Sequence, residues 1–526
     1  MRLSWEQLHT WMTSDAGCFV MSIVVPKGRK HLCADALFRL LHENFARIAD
    51  AGADDGEIPL DDALMSAFAM FSLKTPSLLS FDKQRAEGHL QTIYGLDRVP
   101  CDTRMRERLD PVAPESLRHS FTLVFRQLQR GKALEPMVFL DGHSLVALDG
   151  TGYFSSKTLH CDSCLHKEHR NGSITSYHQM LGAAIIHPDC RAVIPLMPEP
   201  IVKQDGTEKN DGARKAAKRF ITKLRQDHPH LKFSITEDAL SANAPHIETL
   251  HDSGCHDILG VKEGDHAYLF QQVQAAADAG RVTSYERHDR ATGLVHRFRF
   301  VNDMPLNGSR TDVRVHCIEY WEHGDGTVQH FSWVTDLRVN KRNVYRLMRG
   351  GRARWKMENE TFHTLKNQGD NFEHNYGHGT KHLSVVFAML MMLAFVVDQT
   401  QQLCCALFQA VWAKLGSKRM LWERMRALFY DYAFASMRQL FEALWYGFKK
   451  SSPIVTLDAS SSAPCLLRLC AIEPDVLLSL GATMPPGRDR SAFHKTACHI
   501  ESRKFLHKTG KGMVEPLTEL STPLVA

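Results

Sequence analysis

Three carboxylates stand in contexts where a carboxylate is costly. Asp149 closes the alternating, β-branched run SLVAL (Ser144–Leu148) and is followed by Gly150. Asp238 closes a second alternating run, with Leu231, Phe233 and Ile235 as its apolar positions, 89 residues further on (238 − 149 = 89). Glu358 follows after another 120 residues (358 − 238 = 120), inside the helical pattern GGRARWKMENETFHTLKNQG. A carboxylate at the end of a buried strand needs a metal ion or a charged partner to offset its desolvation. The ends of two adjacent strands can converge, and a helix beside them can add a third ligand. Three hard oxygen donors suit Mg²⁺ or Mn²⁺. A pair of such ions can activate an attacking oxygen and stabilise the leaving oxygen of a phosphodiester. Glu360 competes with Glu358 for the third place, and acids at strand ends and on helices are also common surface residues.

Seven basic residues (Lys341, Arg342, Arg346, Arg349, Arg352, Arg354 and Lys356) precede Glu358 with no acid among them. Such a run is either a solvated helix face or a phosphate-binding surface whose affinity falls with salt. A weaker patch lies between Arg214 and Arg225. The stretch HCDSCLHKEH holds Cys161, Cys164, His166 and His169, four possible ligands for a structural Zn²⁺. The alternative is a reduced, polar loop between two strands. His374 and His378 in FEHNYGHG read as a packed or DNA-facing turn.

The elements that must position these groups are of two kinds. From Ala34 to about Leu140 the apolar residues recur at helical spacing, with basic faces on several segments. From Ser144 the texture becomes strands: SLVALD, SYHQMLGAAIIH and RAVIPLM in antiparallel succession, then a helix over DGARKAAKRFITKLRQD. A strand ending at Asp238, a short helix (PHIETLHDSG) and another strand (HDILGVK) complete a mixed α/β unit. Residues 282–337 are again strand-like, a β-rich insertion. Helices resume at Asn340, and the pattern weakens after Ser451 into an irregular basic tail.

Asp149 in LDGT, Asp238 in SITEDALSANAPHI and Glu358 in RARWKMENETFHTLK resemble the catalytic triad of bacterial insertion-sequence DDE transposases with an RNase H-like core. The branch resembled carries a β-rich insertion between its second Asp and its Glu. KTPSLLSFD, CDTRMRERLD, HQMLGAAIIHPD, PEPIVKQDG, GVKEGDH and FEHNYGHG also match, and the similarity runs over roughly 60–410. The family signature around the Glu has a Tyr, an Arg four residues before the Glu and a Lys seven after it. Arg354 matches the Arg, Gly351 stands at the Tyr position, and Lys366 lies eight residues on (366 − 358 = 8).

The resemblance implies an α/β chain in three parts. Residues 1–140 would be an all-α module binding terminal inverted repeats. Residues 141–410 would be an RNase H-like mixed-sheet core, and 411–526 would hold further helices and the tail. It implies metal held by Asp149, Asp238 and Glu358, with phosphates contacted by Arg349, Arg352, Arg354, Lys356 and Lys366. The partners would be double-stranded DNA, both element ends and target, with a homodimer in the synaptic complex. The alternative is a catalytically inactive DNA-binding regulator derived from a transposase.

Composition agrees with a globular protein. The chain has 526 residues, 44% hydrophobic and 23% charged, with a formal net charge of +5. That total is only mildly basic, so clustering of charge matters more than its sum. Thirteen cysteines without a spacing framework suit a reducing, cytoplasmic setting. The most apolar stretch, LSVVFAMLMMLAFVV, is shorter than the run of about 20 residues that spans a bilayer and reads as a buried helix, with no membrane partner.

Overall fold

The computed structural model describes residues 31–50, 58–85, 89–205, 209–324 and 326–447. The expectations for residues 1–30 and for the basic tail after Ser451 lie outside these residues. Among the described residues six helices come first: α1 (Ala34–Phe45), α2 (Leu60–Ser72), α3 (Leu78–Gln84), α4 (His89–Tyr94), α5 (Asp102–Leu109) and α6 (Arg118–Arg130). In α1 the spacing of Leu37, Phe38, Leu41 and Phe45 makes one buried stripe. The apolar α2 is buried along nearly its whole length.

A mixed α/β body follows, built on one sheet. Its first strands are β1 (Val138–Leu140), β2 (His143–Ser156), β3 (Leu165–Glu168), β4 (Ile174–His187), β5 (Cys190–Pro195) and β6 (Glu199–Ile201). β4 pairs antiparallel with β2, and β3, β5 and β6 pair antiparallel with β4. Helix α7 (Lys209–Asp227) then carries the chain over to β7 (Phe233–Glu237), which runs parallel to β2. Helix α8 (Ala244–Asp252) leads to β8 (His256–Gly260), parallel to β7. The sequence reading missed α9 (Ala267–Asp278). Only Leu269, Val273 and Ala276 of that helix are buried, too sparse a stripe to stand out.

Four antiparallel strands come next: β9 (Thr283–His288), β10 (Val295–Pro305), β11 (Arg314–Gly324) and β12 (Thr327–Thr335). They are the expected β-rich segment. They also pair onto the first sheet through β12 and β8, with Val334 opposite Leu259. The result is a single 12-stranded sheet, ordered β3-β4-β2-β7-β8-β12-β11-β10-β9 along its main path. The described residues end in helices α10 (Val344–Ala353), α11 (His363–Asn367), α12 (Leu383–Cys404), α13 (Ala406–Leu415), α14 (Lys418–Asp431) and α15 (Met437–Tyr446). Between α10 and α11, residues Met357–Phe362 form a π-helical turn.

Strand alternation divides the core in two. Leu145 and Ala147 of β2 face one cluster, shared with the early helices and with α10 to α15. Val146 and Leu148 face the other, shared with α7, α8 and α9. The apolar α12 runs through the first cluster, and 94% of its most hydrophobic window is buried. It is a core helix, as its length and flanks suggested. One buried ionic contact ties it down: Lys74 Nζ lies 2.6 Å from both Asp370 Oδ1 and Asp398 Oδ2.

Candidate functional site

Register makes Asp149 and Asp238 neighbours. In the β2–β7 pair Ser144 lies opposite Phe233 and Ala147 opposite Thr236. The same offset, 89 residues (233 − 144 = 89), places Asp238, the first residue after β7, beside Asp149. Alternation puts both on the face of Leu145 and Ala147. One expectation needs correcting. β2 does not end at Asp149 but continues to Ser156, because β4 pairs with it along that whole length. Only β7 stops here, and the exposed flank of β2 opens at this point. Asp238 Oδ1 accepts the Leu240 N–H at 3.0 Å, so it also caps the turn that ends the strand.

Glu358 reaches the same place from the helical side. Opposite Asp149 on β4 stands Gly182. A Cβ at Gly182 would lie 2.5 Å from Met357 Cε and 2.8 Å from the Phe362 ring. The missing side chain lets the π-helical turn settle on the sheet next to Asp149. Met357 and Phe362 point inward there, while Glu358 and Glu360 splay apart. Glu358 Oε1 meets Arg354 Nη2 at 2.9 Å, whereas Glu360 Oε2 meets Arg191 of β5 at 3.4 Å. Arg354 also approaches Asp149 Oδ2, at 3.5 Å. The geometry therefore joins Glu358, and not Glu360, to Asp149.

Burial pushes the Asp149 carboxyl up to about 6; Arg354 pulls it back, and Glu358 and Asp238 push it further up. Three carboxylates share too little positive charge, and one guanidinium supplies what there is. Chemically this is an acidic corner suited to a divalent cation or to the phosphate-facing use of Arg354. Arg354 stands between Asp149 and Glu358, and the groups of ligand atoms lying within 4.8 Å of one another do not include the three carboxylates.

Most of the basic run before Glu358 is occupied. Arg346 pairs with Asp141 at 3.1 Å, Arg349 pairs with Asp189, and Arg352 pairs with Glu322 at 2.6 Å. Arg352 also lies over the Phe331 ring. Lys356 has no ion-pair partner among the described residues. Lys366 pairs with Glu373 at 2.7 Å and lines a groove of about 1050 Å³ beside β3 and β4. In the second patch Arg219 and Lys223 are tied to Glu199, and Arg225 donates to backbone carbonyls. Gly351 has a physical reason: a Cβ there would lie 2.4 Å from Trp333 Nε1, so no tyrosine fits at that position.

The Cys161–Cys164 pair gathers different histidines from those expected. His166 Nδ1 lies 3.1 Å from Ser176 Oγ and His169 Nε2 lies 2.8 Å from Thr175 Oγ1. The rings that reach the sulfurs are His178 of β4 and His378. Adjacency in sequence suggested His166 and His169, but His166 on β3 and His169 just past it pair sideways with β4. His374 is exposed, as befits a turn, while His378 is buried. The available signal was His178 itself, in phase with Met180 and Gly182 on β4 and so facing the first core. A second group, His251, Asp257 and Asp336, sits at the opposite, N-terminal end of β8. His251 Nε2 lies 3.0 Å from Asp257 Oδ2, and the Asp257 N–H donates to Asp336 Oδ1 at 3.0 Å. These contacts close the strand end.

No protein-family model matches the chain, and no curated protein matches it. Among solved structures, a piggyBac transposase synaptic complex with hairpin DNA aligns at 10% identity, over 88% of this chain and 86% of that one, with a TM-score of 0.32. A likeness that loose carries no argument about fold or function.

Proposed function

We propose that the chain is a DNA transposase that binds the ends of an insertion sequence, hydrolyses the phosphodiester there and transfers the freed 3′ end to target DNA. The observation that carries the reading is the convergence of Asp149 in mid-strand, Asp238 at the end of β7 and Glu358 on the helical turn, with Arg354 between Asp149 and Glu358. Strand order supports an RNase H-like core. β2, β4 and β5 are antiparallel in succession, and β7 and β8 then lie parallel to β2 on its other side. The acids sit on the first of these five strands and directly after the fourth.

The donor set suits a hard divalent cation. All three ligands are carboxylates, and burial, with the neighbouring Glu358 and Asp238 adding to it, holds Asp149 up near 6. Asp149, Asp238 and Glu358 would hold Mg²⁺ or Mn²⁺, which supplies activation of the attacking oxygen and charge stabilisation at the leaving one. Arg354, which stands between Asp149 and Glu358, would contact the scissile phosphate. Lys356 and Lys366 would steer the DNA backbone, and the helices before residue 140 would read the element ends. Two copies would pair the two ends.

The test is a cleavage assay with the full-length protein, Mg²⁺ or Mn²⁺, and duplex DNA carrying the inverted repeats that bracket its reading frame. Nicking at the repeat ends followed by strand joining is the expected outcome, with Asp149→Ala still binding but not cutting. Binding without cutting by the unmodified protein would instead favour the regulator.

A further inference from the structure

The four side chains at the far end of β2 and β4 form a second and different centre. Cys161 Sγ and Cys164 Sγ lie 3.7 Å apart. His178 Nε2 lies 3.5 Å from Cys161 Sγ and 3.4 Å from Cys164 Sγ, and His378 Nε2 lies 3.3 Å from Cys164 Sγ. All four residues are buried, and their ligand atoms all lie within 4.8 Å of one another. In a tetrahedron with Zn–S of about 2.3 Å and Zn–N of about 2.0–2.1 Å, ligand atoms stand roughly 3.3–3.8 Å apart. The four observed separations fall in that range.

We propose that Cys161, Cys164, His178 and His378 form a closed, tetrahedral Zn²⁺ site whose role is structural. Two thiolates and two neutral imidazoles cancel the charge of the ion, so the filled site can be buried without an uncompensated charge. Two sulfurs and two imidazole nitrogens in this shape select zinc over the hard cations that the carboxylates suit. With four protein ligands no position remains for water or substrate. Without an ion, the same groups have little but weak S–H contacts to offset their burial. A disulfide does not describe the pair, since 3.7 Å is far from a bonded S–S length of about 2.05 Å.

The surroundings are built for the ligands. β2 bulges between Gly152 and Phe154 where it passes His178. The bulge lets Tyr153 stack on His178 and Phe154 on His378, at ring separations of 5.8 and 4.2 Å. His378 comes from the irregular segment 368–382, between the turn carrying Glu358 and the core helix α12. That segment is also held by Asp370 on Lys74, by Glu373 on Lys366, by the Tyr376 hydroxyl, which donates to the Thr75 carbonyl, and by Asp110, which accepts the N–H groups of Thr380, Lys381 and Leu383. The ion would add a fastening that ties the segment directly to β4 of the sheet. This inference does not depend on what the carboxylates do.

The test uses the full-length protein purified without chelator. Elemental analysis is expected to give about one zinc per chain. Exchange with Co²⁺ is expected to give the strong visible bands of a tetrahedral ion and thiolate charge transfer in the near ultraviolet. A His166→Ala/His169→Ala double variant should keep both signals, and His378→Ala should lower zinc retention at least tenfold. Should His378→Ala fail to fold, the cobalt spectrum of the unmodified protein still decides. The proposal is overturned by a chain without zinc that gives no tetrahedral cobalt spectrum, by a Cys161–Cys164 disulfide in the native protein, or by loss of the metal from the His166/His169 variant.

Discussion

Strands β2 and β4 carry two clusters of ligand atoms about four residues apart, roughly 13 Å along a strand. At Asp149 and Gly182 the cluster is hard, charged and partly open: Glu358 is half exposed, and Arg354 mediates between like charges. At Phe154 and His178 it is soft, closed and buried, and its ligand atoms already lie at coordination distance from one another. The contrast teaches what each can do. An open, charge-deficient corner has room for a substrate and a reason to hold a cation weakly. A closed, neutral set of four can only hold an ion tightly and fix the chain around it.

If that contrast is right, the largest effects separate activity from stability. Glu358→Gln should lower DNA cleavage at least a thousandfold, about 4 kcal/mol in the barrier, while Glu360→Gln should stay within a few-fold of the unmodified protein. Equal losses in the two variants, measured by single-turnover cleavage, would remove Glu358 from the site. Next in size, Cys164→Ser should cost roughly 3–4 kcal/mol of stability through loss of the metal. Asp149→Asn should leave stability unchanged or raised, because it removes a buried charge crowded by two others. Denaturant titrations of the two variants would test this opposition of sign.

A third point sits away from both clusters. Burial pushes His228, packed 4.1 Å from the Phe125 ring, down to about 4, with Arg118, Arg126 and Arg225 adding to the shift. The folded chain keeps it neutral while the unfolded chain takes up a proton at about 6.5. Its contribution is therefore complete above about 6.5 and lost as the pH falls from there to about 4. The expected loss is roughly 2–3 kcal/mol, which His228→Leu should flatten in melts across that range. Burial likewise pushes His178 down to about 4, but a bound zinc would hold that ring neutral and hide its titration.

Smaller effects sharpen the carboxylate side. Gly182→Val should cost about 1–2 kcal/mol by overpacking against Met357 and Phe362, and it should cost more in cleavage than in stability because it moves the turn carrying Glu358. Smallest of all, Lys356→Ala should reduce the salt dependence of DNA binding by about one phosphate contact. Arg352→Ala should instead lower stability with little change in that slope, since its guanidinium already serves Glu322 and Phe331.

Much of the acidic corner was legible. The interval between Asp149 and Asp238 is the register offset of β2 and β7, and each acid follows an alternating run that had to be a buried strand. The antiparallel succession, the helix after it and the strand before Asp238 follow from periodicity, and the burial of α12 from the length and flanks of its apolar stretch. Where β2 ends was not legible, since a partner strand and not the sequence run sets its length. The spacing from Arg354 favoured Glu358 over Glu360, but an α-helical reading of that stretch misses the π-turn and hence the direction of both side chains. The basic run looked like one surface; its ion pairs reach Asp141, Asp189 and Glu322, partners that spacing along the chain cannot reveal.

Local order in the chain thus determined the chemistry of the residues and the elements that bear them: alternation gives strands, helical spacing gives helices, and Asp149, Asp238 and Cys161–Cys164 stand out by type and place. Tertiary structure alone decided which histidines meet the two cysteines. His378 follows Cys164 by 214 residues (378 − 164 = 214), and only the packing of segment 368–382 against β4 brings their atoms together. It also decided that the β-rich segment extends the first sheet, because the unpaired edge of β8 takes β12 as its next strand. The physical reason is common to both: sequence spacing fixes neighbours within a helix or strand, while contacts between elements are set by which faces and edges remain to be covered once those elements exist.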